Sequence, residues 1–158
     1  MAEVRVGLGF DAHPAVAGRP LMLGGVPFPG ADGLAGHSDG DVVCHALADA
    51  LLGGAALGDI GQHFPDDDPE IAGIGGLEIL RQVMRLLQEA SLRPTSCDVV
   101  VIAERPWLSD RRDELRASLA TALSIRPETV SVKATRPEGL GLTGDGVGCM
   151  AVAVLEGA

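Results

Sequence analysis

Basic residues are scarce in this chain, and none of them cluster. Lysine and arginine together number 12 against 22 aspartates and glutamates, giving a formal net charge of -10 over 158 residues. With a pI near 4.6 and no basic stripe, a nucleic acid or an anionic membrane is excluded as the expected partner. A phosphate ligand would need local help from metal ions, helix N-termini or backbone amides. Only three cysteines occur, Cys44, Cys97 and Cys149, without C-x-x-C spacing. That argues against a disulfide framework and predicts reduced thiols in a cytoplasmic protein. No signal-peptide pattern is found, and no apolar run is long enough to span a bilayer, so a soluble, intracellular chain is expected. Also missing are a Ser/His/Asp or Cys/His nucleophile motif, an internal repeat and a low-complexity linker. Glycine, by contrast, is abundant: 22 residues, roughly twice the usual share. Much of it lies in pairs and short motifs, which points to tight turns near a site.

Strand and helix signals alternate along a length that suits one domain, 1–158, with one core. Residues 4–10 read as a strand of mixed polarity ending at Asp11 and His13. Residues 21–28, broken by Gly24-Gly25, read as a small hairpin. A Gly- and Asp-rich loop over 30–40 contains Ser38, a plausible N-cap for a helix over about 40–54. In that helix Val43, Ala46, Leu47, Ala50 and Leu51 share an apolar face, with Asp41, His45 and Asp49 as a separate stripe. Residues 58–76 read mostly as loop. Further helices are expected at about 76–90 and 109–124, and strands at about 96–103, 129–135 and 147–155. The fold class is α/β (α+β): a mixed β-sheet with helices packed on one face.

Three metal-capable side chains stand out. Asp11 and His13 are two apart, so on an extended strand they share a face. His45 lies on the first long helix, with Asp41 and Asp49 one turn away as possible partners for its second nitrogen. One carboxylate and two imidazoles suit a zinc-type divalent ion and leave a tetrahedral position open, as catalytic sites do. Each residue also has a plain structural reading: Asp11 as a turn cap, His45 as a satisfied core histidine. The HSDGD run could offer Ser38 and helix-start amides to an anion, or be an ordinary acidic N-cap. The DDD of FPDDDP could be a solvated loop. Glu138, in a glycine-rich loop, could be a metal or hydroxyl ligand, or an exposed acid.

Taken in order, GFDAH, GHSDGD, HALADALLGGAALGDIG, FPDDDP and KAT-x-x-E-x-LG-x-TG resemble the 2-C-methyl-D-erythritol 2,4-cyclodiphosphate synthase family over nearly the whole chain. The resemblance implies a homotrimer around a central sheet-lined core, with active sites at subunit interfaces. It implies a metal-dependent lyase reaction in which the 2-phosphate of a CDP-activated methylerythritol attacks the β-phosphate and expels CMP. Asp11, His13 and His45 then match zinc-type ligands, and Glu138 a residue holding a magnesium- or manganese-type ion on the diphosphate. His37 and Ser38 match residues near the reacting phosphate. Asp59, Ile60 and Gly61 match the ribose contacts or their neighbours; Phe64, Asp66 and Asp68 match the methylerythritol pocket. Ala103 through Ser109, including Trp107, align with a cytosine-gripping loop from the neighbouring subunit, and Thr135 lies beside it.

The departures from the family pattern are specific. KATRPE stands for KATTTE, so Arg136 occupies the position of a threonine expected to orient phosphates, and Pro137 stiffens the loop. A guanidinium could still bind phosphate through bidentate bonds. Trp107 stands where a lysine is common. TGDGVG replaces TGRGEG, which puts Asp145 in place of an arginine lining the trimer's central cavity. Three carboxylates there predict that no isoprenoid diphosphate is bound. These changes leave two other readings beside the cyclase: a diverged paralogue acting on another CDP-activated phosphate or phosphonate, and a non-catalytic metal- and nucleotide-binding trimer.

Overall fold

A computed structural model describes residues 3–141 and 143–158. Strand β1 (Val4–His13) precedes four two-residue strands, β2 (Ala15–Val16), β3 (Met22–Leu23), β4 (Val26–Pro27) and β5 (Gly33–Leu34). Helix α1 (Val42–Gly54), the single turn α2 (Ile60–His63) and helix α3 (Gly76–Glu89) follow. Strand β6 (Leu92–Ile102), helix α4 (Arg112–Leu123), β7 (Val130–Thr135) and β8 (Val147–Gly157) complete the chain. The long strands form one sheet in the order β1-β8-β6-β7. β8 runs antiparallel to both β1 and β6, whereas β6 and β7 are parallel, with α4 in the crossover between them. The sheet is therefore mixed, as expected. α1 lies on β1 and β8, α4 on β7, and α3 packs on α1.

The sequence dictates this layering. α3 carries Ile79, Leu80, Val83 and Leu87 at helical spacing and buries that stripe. Its outer face holds Glu78 against Arg81 and Gln82. α4 does the same with Leu115, Leu119 and Leu123, and stops at Ser124 in the left-handed region. α1 is different. It buries 11 of its 13 residues, because it lies between the sheet and α3. No polar stripe survives on it, so the expected Asp41/His45/Asp49 face is corrected to three side chains with separate tasks.

Asp41 is the N-cap of α1, a role the sequence had suggested for Ser38. One of its oxygens accepts from Cys44 N–H at 3.1 Å and Gly24 N–H at 2.8 Å; the other accepts from Gly25 N–H at 2.7 Å. A fully buried carboxylate thus ties the β3–β4 hairpin to the start of α1. Asp41→Ala strands three backbone donors and should cost about 3 kcal/mol or more. Urea denaturation measures it; an unchanged midpoint would show that the carboxylate does not hold the hairpin.

Other boundaries shift in ways the local sequence could not set. β1 continues through Asp11 and His13 because β8 pairs with it as far as Val147. β6 starts at Leu92, across an irregularity at Pro94/Ser96. Arg19 C=O accepts Gly33 N–H, and Gly33-Leu34 pairs with Ala15-Val16, an extra ribbon within the expected loop. Cys44, Cys97 and Cys149 are free and buried. Burial pushes the Cys97 thiol up to about 12 and the other two upward as well, which keeps all three protonated and unreactive.

The far face of the sheet is apolar and open. Val4, Val6, Leu8 and Phe10 alternate outward along β1 and are each more than half exposed, and Met150 and Val152 continue the patch on β8. Soluble monomers rarely leave so contiguous an apolar surface in water. Among the described residues, no helix is long and apolar enough to cross a membrane.

Candidate functional site

Two elements aim three ligand atoms at one point. Strand alternation puts Asp11 and His13 on the helix-facing side of β1, where α1 presents His45. His13 Nε2 lies 2.8 Å and His45 Nδ1 3.0 Å from the same oxygen of Asp11, and the two nitrogens are 3.3 Å apart. All three ligand atoms fall within 4.8 Å of one another. Such a convergence of electron-rich atoms calls for a positive charge among them, a proton or a cation. The hydrogen bond to Asp11 raises His13 above its ordinary value, against burial. Burial pushes the Asp11 carboxyl up, but hydrogen bonds with His13 and His45 outweigh it and hold it well below the usual carboxylate range. A carboxylate with two imidazoles, and room for a further ligand, equally fits a resident divalent cation.

His45 is steadied from behind. Its Nε2 lies 2.9 Å from Ser38 Oγ, which can accept the ring proton and leave the Nδ1 lone pair for a cation. Ser38 Oγ also accepts Gly40 N–H at 3.2 Å. The Arg19 guanidinium donates to the carbonyls of Gly36 and Ser38, which pins this loop from outside. The partners expected for His45 are thereby corrected. Asp41 is occupied as described, and Asp49 accepts Ile60 N–H at 2.8 Å, fixing α2 beside α1. Nor is the start of α1 an open anion mouth, since Asp41 takes its amide.

The triad lies in a cavity of about 240 Å3. His37, Ser38, Ile60, Gly61, Phe64, Asp66 and Asp68 line it, all named from the sequence. Ile71, Ala72, Ile74 and Ile79 form more of its wall and were missed. The signal was there: isoleucines inside a glycine-rich stretch have a reason to be buried. Asp59 is not in this lining; it caps α2 by accepting Gln62 N–H at 3.0 Å.

A second cavity, about 280 Å3, opens at the ends of β6 and β7. Ala103, Trp107, Thr135 and Arg136 line it together with Pro106, Leu108 and Arg112. It shares no lining residue with the first. Glu138 lines neither; it is exposed, with φ of +54°. A glutamate in the left-handed region carries backbone strain, which tends to concentrate at functional loops. Asp145 lies in the exposed turn before β8, beside Arg105 and Trp107.

The sequence profile of the YgbB family matches residues 4–156, from the start of β1 almost to the end of β8. The chain belongs to the YgbB family. Among curated relatives, the 2-C-methyl-D-erythritol 2,4-cyclodiphosphate synthase of Symbiobacterium thermophilum is 49% identical over 154 residues, covering 96% of this chain and 98% of that one. The bifunctional enzyme IspD/IspF of Anaeromyxobacter sp. is 50% identical over 153 residues, 97% of this chain but 39% of its own length. This chain therefore spans about two fifths of the bifunctional relatives and nearly all of the single-function ones. A solved 2C-methyl-D-erythritol-2,4-cyclodiphosphate synthase in its CDP-bound form superposes with a TM-score of 0.89 at 37% identity, over 96% of this chain and 99% of that one. The family resemblance read from the motifs is upheld, and so is the single mixed α+β domain.

Proposed function

We propose that this chain is a cyclodiphosphate synthase, a phosphorus–oxygen lyase. It converts 4-CDP-2-C-methyl-D-erythritol 2-phosphate to 2-C-methyl-D-erythritol 2,4-cyclodiphosphate and releases CMP. The observation that carries this reading is the convergence of Asp11, His13 and His45 in a cavity, within a fold matched along its length by curated synthases. The new bond joins an oxygen of the 2-phosphate to the β-phosphorus. The bond that breaks joins the β-phosphorus to the bridging oxygen, and its electron pair leaves with CMP.

Asp11, His13 and His45 would hold a zinc-type cation, and Glu138 a magnesium- or manganese-type ion. Bound there, such ions neutralise phosphate charge and polarise the attacked phosphorus. The chain's own part is placement. His37 and Ser38, on the loop pinned by Arg19, border the triad where the 2-phosphate would sit. Phe64, Ile71 and Ile74 supply an apolar wall for the carbon skeleton, and Asp66 and Asp68 accept its hydroxyl protons. Asp59, Ile60 and Gly61 meet the ribose; Ala103, Trp107 and Thr135 meet cytosine. Holding both phosphates of one molecule in line supplies much of the acceleration without a covalent enzyme intermediate.

The two cavities are joined, in this reading, across a homotrimer. The exposed face of Val4, Val6, Leu8, Phe10, Met150 and Val152 is the surface that would become its core. Sedimentation equilibrium should give about three times the 16.2 kDa chain mass. Phe10→Asp should shift the protein towards monomer and abolish activity; a monomeric wild type would end the trimer reading. Asp145 would bring three carboxylates to the axis, so no isoprenoid diphosphate is expected to bind there. The three buried free thiols fit a cytoplasmic setting.

The deciding assay supplies zinc, magnesium and the CDP-methylerythritol phosphate and measures CMP and the cyclic product. CMP release at ordinary enzymatic turnover is expected. Its absence from a metal-loaded assembly would favour the second reading, a paralogue acting on another CDP-activated phosphate or phosphonate. The observation behind that reading is the Arg136–Trp107 pair in the second cavity.

A further inference from the structure

The second cavity contains a side-chain pair that the family pattern does not supply. The Arg136 guanidinium carbon lies 3.6 Å from the centre of the Trp107 ring, close enough for a face-on stack, and Arg105 approaches the same ring at 5.8 Å. Both partners are exposed, so burial does not force them together. Two hydrogen bonds bring their loops into register: Ala103 N–H to Thr135 C=O at 3.1 Å, and Gly139 N–H to a Glu104 oxygen at 3.0 Å. No carboxylate of the described residues pairs with Arg136. Stacking engages the flat face of a guanidinium and leaves its in-plane N–H fork free, and that fork matches a phosphate bidentately.

Charge sorts the two cavities. The first is lined by Asp11, Asp66 and Asp68 beside histidines, which suits cations and hydroxyl groups. The second has Arg112 and Arg136 in its lining, with Glu104 already accepting a backbone N–H. Its remaining wall, including Ala103, Pro106, Leu108 and Ala134, is apolar and suits a flat ring. In a chain of net charge -10, this cavity brings two arginines together.

We propose that Arg136, held flat by Trp107, is the group that binds the nucleotide phosphate in this cavity, with Trp107 as its positioning residue. The inference rests on the CDP-substrate reading above and assigns part of its specificity to a two-residue unit. A free arginine loses much rotamer freedom when it grips a phosphate; the indole removes that freedom beforehand. The phosphate preference therefore depends on both residues together.

The test compares CMP with cytidine, titrated by calorimetry into the assembled protein. Trp107 is the single tryptophan, so its emission reports CMP binding in the wild type independently. Wild type is expected to prefer CMP over cytidine by about tenfold or more. Arg136→Ala, which leaves no hydrogen-bond donor on this side chain, should remove most of that preference. Trp107→Ala should reduce the preference for CMP over cytidine by about three- to fivefold, Trp107→Phe should restore most of it, and the double variant should lose no more of that preference than Arg136→Ala alone. Circular dichroism should confirm that all variants are folded. A wild-type preference for CMP over cytidine in Arg136→Ala, or fully additive losses of that preference in the double variant, would overturn the inference while leaving the cyclase reading intact. A wild type that binds no CMP would overturn both.

Discussion

Replacing His45 by alanine is expected to leave a folded protein that keeps no tightly bound divalent cation and releases no measurable CMP. His45 contributes one of only three side-chain ligand atoms in the triad, and its nitrogen lies 3.0 Å from Asp11 and 3.3 Å from His13. Two remaining ligands hold a cation weakly. The transition-state stabilisation at stake is several kcal/mol, so turnover should fall by at least roughly a thousandfold. Folding should suffer far less: the ring is a single buried side chain, and its loss should cost about 1–3 kcal/mol. Ser38→Ala makes the comparison informative. It removes the partner of the ring's other nitrogen and no ligand, so cation affinity should drop by about 10- to 100-fold with partial activity retained. Metal content after dialysis, measured beside CMP release, separates the two variants. A His45→Ala protein with one full equivalent of cation would refute the three-ligand centre.

What could be seen of this centre in the sequence was set by local geometry. Asp11 and His13 were legible as a pair because strand alternation fixes which side chains share a face. His45 was legible as the third member of the triad, but its supporting partner was not. Helical spacing nominates Asp41 and Asp49, since it counts neighbours along α1 alone. The actual partner, Ser38, belongs to a loop folded back over the helix start and pinned by Arg19, and no periodicity encodes that. Long-range register hid the Arg136–Trp107 stack in the same way. The two residues meet because β6 and β7 run parallel with Ile102 opposite Thr135, so the loops leaving both strands emerge side by side. The sheet and its helices were readable because α3 and α4 are amphipathic and the strands are β-rich. The all-round burial of α1 was not, because it depends on which layers enclose it.

Gly9→Ala carries the second large expectation, and it joins the fold to the site. The residues VGLGF in β1 read as a strand of mixed polarity, yet Gly7 and Gly9 are where α1 comes to rest. A Cβ on Gly9 would lie 1.9 Å from the Ala46 carbonyl oxygen, and one on Gly7 would lie 1.8 Å from that of Ala50. Neither glycine has a positive φ, so the requirement is space alone. The atoms in the way belong to helix backbone and cannot rotate aside. Restoring ordinary contact near ~3.5 Å means moving α1 off the strand by more than an ångström. Ala46 adjoins His45, so the same movement carries the third ligand away from Asp11 and His13. Metal ligation tolerates only about 0.2 Å. Gly9→Ala should therefore lose about 3 kcal/mol or more of stability and its cation together, although no ligand has been touched. Gly157→Ala, whose added carbon meets nothing within 4 Å, is the control and should change neither. A Gly9→Ala protein with wild-type stability and full cation occupancy would show that the helix can yield without moving His45. Loss of both from one added methyl group would show that the closeness of α1 to β1 is what sets the metal centre.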